Sequence, residues 1–291
     1  MRSSLPRTHL AGLALALMAG GCGRSSPRAP AAPVQRIVSL APSITELLFA
    51  LGAGPQVVGR TVYCKYPPAA LAVPSVGDGL NPSVEAIVAR QPDLVVLYRS
   101  PHTEAASRQL HALGVTTLVL HHDRLEDIDT TARLLGEATG HAGEGRAIAR
   151  RIDSVLAAPA VPGPHARLVH VVWDNPPIVI GGGSYLDQLT KLSGADNAFH
   201  DIATPSATVS IETIAARDPD WIAVLREATD TMPPDYAKRP EWQVVRAVRE
   251  GRFLFLPADL FGQPSARAPE AVAYLRHLLD RSPIAPPSVA R

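Results

Sequence analysis

Residues 83–97 of this 291-residue chain read SVEAIVARQPDLVVL, and residues 210–224 read SIETIAARDPDWIAV. When the two segments are aligned, Ser, Glu, Ile, Ala, Arg, Pro and Asp recur at identical places. Each segment predicts a short helix with one apolar face, a break at Pro-Asp and then a buried strand. A solenoid repeats at a far shorter period, so this pair indicates two similar lobes instead.

The segments on either side of each copy alternate between β-rich runs and helical patterns. The β-rich runs lie at 36–40, 57–58, 94–98, 115–120, 168–173, 178–180, 221–225 and 253–256. Alternation of this kind is typical of a parallel sheet with helices on its faces. The sequence therefore predicts an α/β fold made of two Rossmann-like lobes with parallel-type sheets.

The region between the lobes has a helical pattern only. Residues 126–158 predict one long amphipathic helix, with an apolar face at Ile148, Ile152, Val155 and Leu156. We therefore expect an N-terminal lobe at 34–138, a connecting backbone helix at 139–160, a C-terminal lobe at 161–284 and a flexible tail at 285–291.

Local signals place three further features. Ser43 and Glu46 match a capping box, which predicts a helix that ends near Gly52. The glycines at 181–183 favour a tight turn capped by Ser184 over an anion site at a helix N-terminus. His121 and His122 favour a solvated loop over a metal site, because adjacent strand residues point to opposite faces. We therefore predict no metal ligands.

The N-terminus has the pattern of an export signal. Arg2 and Arg7 precede an apolar run at 10–18, small residues follow, and Cys22 comes directly after them. The run is well short of the ~20 residues that span a bilayer. We expect a lipoprotein signal peptide at 1–22 with an acylated Cys22, then a disordered tether at 23–33. Cys64 would then lack a disulfide partner, and a small buried side chain is favoured over metal ligation.

Charge and motifs exclude several classes of function. The formal net charge is +1 with both signs interspersed, so no basic stripe for nucleic acid is present in the sequence. The sequence around Ser184 lacks the closing glycine of a nucleophile elbow, and neither HExxH nor a dinucleotide glycine fingerprint occurs. We predict a binding protein without catalytic residues; an α/β enzyme and a free-metal receptor are distant alternatives.

Six segments resemble one family. They read RIVSLAPSITELLFALG (36–52), YCKYPP (63–68), NPSVEAIVARQPDLVV (81–96), WDNPP (173–177), LTKLSGADNAF (189–199) and VSIETIAARDPD (209–220). They are similar to the substrate-binding proteins of bacterial ABC importers for vitamin B12, ferric siderophores and haem, a class whose lobes are joined by one long helix (class III periplasmic binding proteins). The Tyr-x-x-Tyr-Pro-Pro and Asn-Pro-Pro runs are most similar to the cobalamin-binding members.

The resemblance implies a ligand cleft between rigid lobes and delivery of the cargo to a two-fold permease with its ATPase subunits. The cargo would be a cobalt corrinoid, or alternatively a ferric siderophore or haem, and no resident cofactor is implied. Glu85 and Glu212 match the acids with which the family docks on permease arginines. The same resemblance implies a monomer in the periplasm or another extracytoplasmic space, held at the membrane by its lipid.

Ligand contacts are expected in the loops at the carboxyl ends of the strands, where open α/β sheets bind ligands. Tyr63 and the loop that begins at Asp259 match positions that contact cobalamin in the family. The sequence departs from the cobalamin pattern at 76–81, which has no tryptophan, and at Ser206, where another would stand. The predicted ligand-binding residues are Tyr63, Asp78, Gly79, Tyr98, Arg99, Trp173, Asp174, Asp259 and Phe261.

Overall fold

A computed structural model of the protein describes residues 33–79, 81–227 and 229–281. The predicted signal peptide, the lipidation site Cys22, residues 23–32 of the tether and the tail at 285–291 lie outside these ranges. Among the helices of the described ranges, none is both long and apolar enough to cross a bilayer.

The first lobe is built on a four-stranded parallel sheet. Its strands are β1 (Ile37–Ser39), β2 (Val57–Arg60), β3 (Leu94–Tyr98) and β4 (Thr117–Leu120), in the order β2-β1-β3-β4. Its helices are α1 (Pro42–Ala50), α2 (Val84–Val88) and α3 (Pro101–Ala112), with short 3₁₀ turns at Gly54–Gln56 and Pro68–Ala72. The predicted alternation of strand and helix is confirmed in this lobe.

The region between the lobes is a helical hairpin. Helix α4 (Leu125–Thr139) ends at Gly140, whose φ of 81° is left-handed, and α5 (Ala142–Leu156) runs back beside it. A Cβ on Gly145 would lie 2.4 Å from the Ala132 carbonyl oxygen, so glycine lets the two backbones approach closely. The single helix predicted over 126–158 is therefore wrong, because the left-handed glycine breaks it in two. The connecting helix expected at 139–160 is α5 alone.

Both helices of the hairpin pack on both lobes. Leu135 of α4 and Ile148 of α5 lie in the core of the first lobe. Leu125 and Ile152, from the same two helices, lie in a core of the second lobe. The hairpin thus contributes to the hydrophobic cores of both lobes.

The second lobe has a mixed sheet. Its strands are β5 (Ala166–Asp174), β6 (Pro177–Ile180), β7 (Ala195–Asn197), β8 (Ser206–Thr208), β9 (Trp221–Arg226) and β10 (Phe253–Pro257), in the order β10-β9-β5-β6-β8 with β7 also paired to β5. The β10, β9, β5 and β7 pairings are parallel, whereas β6 and β8 are antiparallel additions. Its helices are α6 (Tyr185–Leu192), α7 (Ile211–Arg217), α8 (Arg246–Arg249), α9 (Ala258–Phe261) and α10 (Ala268–Arg281), with 3₁₀ turns at Asp235–Lys238 and Pro240–Val244.

The sequence repeat has the same structure in both lobes. Ser83 and Ser210 cap α2 and α7, each accepting a backbone N–H at 3.2 Å. Gln91 and Asp218, the residues before the repeated Pro-Asp, both have a left-handed φ, of 49° and 43°. The predicted helix, break and strand are therefore confirmed in both copies.

The repeated aspartates explain why the break is followed by a strand. Asp93 accepts the Arg36 N–H at 3.0 Å, and Asp220 accepts the Arg167 N–H at 2.9 Å. Each carboxylate thus holds the backbone that leads into the neighbouring strand, β1 or β5. This local anchor sets the start of the central strand pair in each sheet.

The glycines at 181–183 form the turn that the sequence favours. A Cβ on any of them would lie between 2.2 and 2.4 Å from a backbone oxygen of the segment 200–204. Their N–H groups donate to carbonyls of Ile202, Thr204 and Pro205, and Ser184 caps α6. The amides are therefore used within the protein, and the anion alternative is wrong.

Candidate functional site

A cavity of about 390 Å³ lies between the two lobes. On the first lobe it is bordered by residues at the carboxyl ends of β1, β3 and β4, and on the second by the loop after α9. We call it the interlobe cavity; it is lined by Leu40, Ala41, Pro42, Ser43, Thr61, Tyr63, Asp78, Gly79, Tyr98, Ser100, Thr103, His122, Asp123, Tyr185, Gly262, Gln263 and Pro264. Its place agrees with the expectation that ligands bind beyond the carboxyl ends of parallel strands.

Tyr98 is a fixed polar group in this wall. Its hydroxyl donates to Asp123 Oδ1 at 2.6 Å. Burial, and then this hydrogen bond, raise the pKa of Tyr98 to about 12, so the phenol is protonated at neutral pH. The Asp123 carbonyl in turn accepts the N–H of Tyr185 from the second lobe at 2.8 Å. Asp123 therefore holds both a cavity side chain and a lobe–lobe contact.

His122 is the one histidine that the structure places on the cavity wall among the residues it describes. Its side chain is 4 % exposed, and neither ring nitrogen has a hydrogen-bond partner within the described ranges. Burial lowers the pKa of His122 to about 4, which leaves the imidazole neutral at pH 7. His121 is exposed. The solvated loop that the sequence favours is therefore confirmed for His121 and wrong for His122, whose imidazole is buried against the cavity wall.

Four residues join the lobes at the edge of the interlobe cavity. The Glu46 carboxylate, 3 % exposed, accepts from Arg267 Nε at 3.1 Å and Nη2 at 3.2 Å, from Gln263 Nε2 at 3.3 Å, and from the Ser265 hydroxyl. We call Glu46, Gln263, Ser265 and Arg267 the interlobe latch. The Arg267 guanidinium also lies 3.8 Å from the centre of the Tyr66 ring, a cation–π contact.

The latch corrects the predicted capping box. Helix α1 begins at Pro42 with Ala41 as its N-cap and no side-chain capping bond, so Ser43 lies inside the helix. Glu46 points to the other lobe because Arg267, more than two hundred residues later in the chain, supplies a stronger partner than a backbone N–H. A local pattern gave no sign of this long-range contact.

A second cavity, of about 350 Å³, lies at the carboxyl ends of β5 and β9 in the second lobe. Trp173, 59 % exposed, and Asp174 end β5, and Arg226 ends β9. Asp174 pairs with Arg239 at 2.7 Å. We call this the C-lobe cavity; it is lined by Val171, Val172, Trp173, Asp174, Val224, Leu225, Arg226, Pro234, Asp235, Tyr236 and Arg239.

The structure thus divides six of the predicted ligand residues between two cavities. Tyr63, Asp78, Gly79 and Tyr98 line the interlobe cavity, and Trp173 and Asp174 line the C-lobe cavity. Gly79 has a steric reason to be glycine, since a Cβ there would lie 2.6 Å from the Leu40 carbonyl oxygen.

Three predicted residues lie outside both cavities. Arg99 is exposed and pairs with Glu104 at 3.3 Å. Asp259 lies beside the latch, 3.4 Å from Arg267. Phe261 is fully buried, and its ring packs edge-on against Tyr274 at 5.9 Å. The structure corrects the expected place of Phe261, because its position in the core of the second lobe removes its ring from the cleft.

Sequence reasoning missed four residues that shape these cavities. His122 is predicted to lie in a solvated loop and not at a ligand site, and Arg226, Tyr236 and Arg239 are not among the predicted residues. Arg226 directly ends a predicted strand, so the rule that placed Trp173 applies to it equally. Tyr236 and Arg239 lie in and just after a 3₁₀ turn that no periodic pattern marks.

Glu85 and Glu212 lie away from both cavities. Each is exposed and lies in the first turn of its helix, α2 or α7. Hydrogen bonding from its own backbone N–H, and then from the Ser210 hydroxyl, lowers the pKa of Glu212. The two acids therefore occupy equivalent, charged positions on the two lobes.

Cys64 is buried, and its sulfur lies 3.0 Å from Thr45 Oγ1, which donates to it. Within the described ranges, no group of three or more His, Cys, Asp or Glu side chains is arranged to hold a metal ion.

Relatives and solved structures agree with this architecture. The vitamin B12-binding protein of Salmonella typhimurium is 32% identical over 200 residues, covering 68% of this chain and 74% of that protein. That of Vibrio parahaemolyticus is 26% identical over 244 residues, covering 82% and 87%. A periplasmic haem-binding protein from Pseudomonas aeruginosa superposes with a TM-score of 0.71 at 25% identity, over 86% of this chain and 94% of that one.

The fold is also that of the periplasmic vitamin B12-binding protein of Vibrio cholerae, with a TM-score of 0.71 at 24% identity over 86% of this chain and 98% of that one. A family model described as periplasmic binding protein matches residues 37–260. With two α/β lobes, a cavity between them and this match over most of its length, the chain belongs to the periplasmic binding protein family.

Proposed function

We propose that this protein is the ligand-capturing subunit of an ABC importer and that it binds a corrinoid between its lobes, without catalysing a reaction. The observation that carries the proposal is the interlobe cavity, in which the exposed ring of Tyr63 and the fixed hydroxyl of Tyr98 face a loop of the other lobe. An aromatic side chain presents a flat amphipathic surface to a large ring at low entropic cost. The vitamin B12-binding relatives support the choice of a corrinoid.

The second candidate cargo is haem or a ferric siderophore. Two observations favour it: the segment 76–81 has no tryptophan, and Ser206 stands on β8 where the cobalamin pattern has another. The superposition on the haem-binding protein supports the same alternative.

A titration followed by absorbance separates these cargoes. We expect cyanocobalamin to bind at one site per chain, whereas haem and a ferric hydroxamate bind more weakly or not at all. Tyr63→Ala should weaken binding by roughly 1 to 3 kcal/mol, since Tyr63 is 58 % exposed and free to stack on a ring. Tyr274→Ala is the matched control, because Tyr274 is exposed on α10 outside both cavities. Tight binding of haem with no response to any corrinoid would show that haem, and not a corrinoid, is the cargo.

Delivery of the cargo is proposed to depend on Glu85 and Glu212. Their equivalent places on the two lobes give a two-fold permease two matched charges. We propose that the protein acts as a monomer, so that each lobe meets one half of the permease, and that the ATPase subunits power the release of cargo.

We propose an extracytoplasmic location with a lipid anchor at Cys22. The sequence support is the apolar leader followed by small residues and this cysteine. Cys22→Ala should move the protein from the membrane fraction to the soluble fraction and abolish labelling with a radioactive fatty acid. Membrane association of the unlabelled variant at the wild-type level would contradict the anchor.

A further inference from the structure

An apolar groove of about 500 Å³ lies on the first lobe and shares no residue with either cavity. Every residue that lines it is apolar or glycine, and several of these residues are exposed. Clustered apolar surface of this kind is typical of a place where another group docks. We call it the first-lobe groove; its lining includes Phe49, Gly52, Pro55, Ala72, Val73 and Pro74.

The first described residue, Pro33, lies close to one end of this groove. A Cβ on Gly140 would lie 3.3 Å from the Pro33 ring. The next residue, His141, lies on the groove side, because a Cβ on Gly52 would lie 3.3 Å from its Cδ2 atom. Gly52 is part of the groove lining. The chain that precedes Pro33 therefore reaches the protein surface beside the first-lobe groove.

A buried acceptor lies at the same place. Gln56 Nε2 donates to the Thr139 carbonyl at 3.0 Å, whereas Gln56 Oε1 is buried and accepts no hydrogen bond within the described ranges. Gln56 stands between Pro55 and Val57, which both line the groove. A buried acceptor without a donor is destabilising, so we expect a donor from the segment that precedes Pro33.

That segment has a regular spacing of prolines. Residues 26–33 read SPRAPAAP, with proline at 27, 30 and 33. A polyproline II helix has three residues per turn, so these prolines share one edge and the charged Arg28 lies on another. Proline-rich segments of this form dock in apolar grooves that contain an aromatic ring, here that of Phe49.

We propose that residues 27–32 dock in the first-lobe groove as a polyproline II segment, with their prolines against the apolar lining and Arg28 towards water. With Pro33 held beside Gly140, six residues at about 3.1 Å each extend roughly 19 Å from it. The C-terminal segment is a poor occupant, because it follows α10, whose Leu278 and Leu279 pack on a core of the second lobe.

Docking would shorten the tether between the protein and its lipid. Ten residues separate Cys22 from Pro33, and they span at most about 35 Å when extended. With residues 27–32 docked, residues 23–26 remain and span at most about 14 Å. The first lobe would then be held close to the membrane by its groove side. This consequence rests on the proposed anchor at Cys22, whereas the docking itself is measured without lipid or cargo.

An arginine-specific protease measures docking within one segment. The mature chain with Cys22→Ala carries no lipid and presents Arg24 outside the docked part and Arg28 inside it. Ala72→Lys places a charge in the groove that repels Arg28, so cleavage after Arg28 should become several-fold faster and cleavage after Arg24 should not change. Ala112→Lys, at another exposed alanine of the first lobe, is the matched control. Equal rates of cleavage after Arg28 in the Ala72→Lys and Ala112→Lys variants would overturn the proposal.

Methyl NMR identifies the occupant. The Val73 signals should differ between the mature Cys22→Ala chain and a chain shortened to begin at Pro33, because docking covers Val73. Pro30→Ser should move them most of the way to the positions of the shortened chain, whereas Ala31→Ser, on another edge, should not. Identical Val73 signals in the long and shortened chains would contradict docking. A dependence on protein concentration would identify a second copy as the occupant, and a response to phospholipid vesicles alone would identify lipid; either result would overturn the proposal.

Discussion

The two copies of the repeat are alike in their helices and breaks and differ at the ends of the strands that follow. Ser83 and Ser210 cap their helices in the same way, and Gln91 and Asp218 turn the chain with the same left-handed backbone. The strands that follow lead to unlike cavity walls: β3 ends at Tyr98, bound to Asp123, whereas β9 ends at Arg226, whose Nε has no acceptor in the described ranges.

Different requirements apply to these two parts of the repeat. A two-fold partner would require equivalent surfaces, which the exposed Glu85 and Glu212 provide. A cargo without two-fold symmetry would contact two different cavity walls, one with Tyr98 and His122 and one with Arg226. The antiparallel strands β6 and β8 occur in the second lobe only, so the sheets differ as well.

The largest effect on the free energy of unfolding is expected at the interlobe latch, which joins the two lobes. Glu46→Ala removes one partner of a buried ion pair, so that the Ser265 hydroxyl loses its acceptor and the Arg267 guanidinium keeps only Asp259. We expect the free energy of unfolding to fall by about 3–5 kcal/mol, measured by urea denaturation. Glu270→Ala breaks the exposed pair with Arg151 at 3.7 Å and should change the free energy of unfolding by less than about 1 kcal/mol. Equal effects of the two substitutions would show that the latch adds nothing beyond a surface pair.

The next effect tests whether the two copies are energetically equivalent. Ile87 and Ile214 are fully buried at corresponding places in α2 and α7. Ile87→Ala and Ile214→Ala should each reduce the free energy of unfolding by about 2–5 kcal/mol, since each leaves a cavity in a packed core. Val84→Ala and Ile211→Ala, at half-buried corresponding places, are the controls and should be milder. A severe loss in one lobe with a mild loss in the other would break the equivalence.

The parts of this structure that depend on local interactions can be predicted from the sequence, whereas contacts between residues far apart in the chain cannot. Strand β3, the turn capped by Ser184 and the repeat are predicted closely, because alternation, caps and Pro-Asp breaks are local signals. The latch was missed because Glu46 and Arg267 are far apart in sequence. The hairpin of α4 and α5 was predicted as one helix, since a glycine within a helical pattern does not by itself reveal a left-handed cap.

The candidate site was predicted only in part for a related reason. The rule that ligands bind at the carboxyl ends of strands selects Tyr98, Trp173 and Asp174, which line cavities. The rule does not predict which side chain of a loop points towards the cavity and which points into the core. Phe261 comes soon after β10, yet it points into the core, and its carbonyl accepts from the Tyr185 hydroxyl at 2.7 Å.

A pH-dependent effect compares one histidine from each lobe. Burial lowers the pKa of His122 and of His170 to about 4, from 6.5. The unfolded chain takes up these protons as the pH falls below about 6.5 and the folded protein does not, so their contribution to stability is full above that pH and is lost between 6.5 and 4. Each shift lowers the free energy of unfolding by about 3 kcal/mol as the pH falls from 6.5 to 4.

Urea denaturation between pH 4 and 7 measures this dependence. The slope of the free energy of unfolding against pH should fall in His122→Gln, because one of the two histidines with a lowered pKa is removed. His121→Gln is the neighbouring control, since that side chain is exposed. An unchanged slope in His122→Gln would mean that the cavity admits enough water to titrate His122 normally. His170, whose Nε2 lies 2.7 Å from Thr190 Oγ1, would then be the main source of the dependence.

The smallest effect on the protein itself is expected at the most similar places in the two lobes. Glu85 and Glu212 are exposed acids in equivalent first turns, so reversing both to Lys disturbs only their favourable interaction with the helix dipoles. Urea denaturation and cargo affinity should both stay near the wild-type values. Uptake, or permease-stimulated ATP hydrolysis, should fall sharply, and the residual association should respond less to salt because two charge contacts are lost. Reversal of Glu104, an exposed acid of the first lobe outside the repeat, is the matched control. Transport at the wild-type rate by the double variant would show that both acids only stabilise their helices. Loss of cargo binding in a folded double variant would show that they belong to the ligand site.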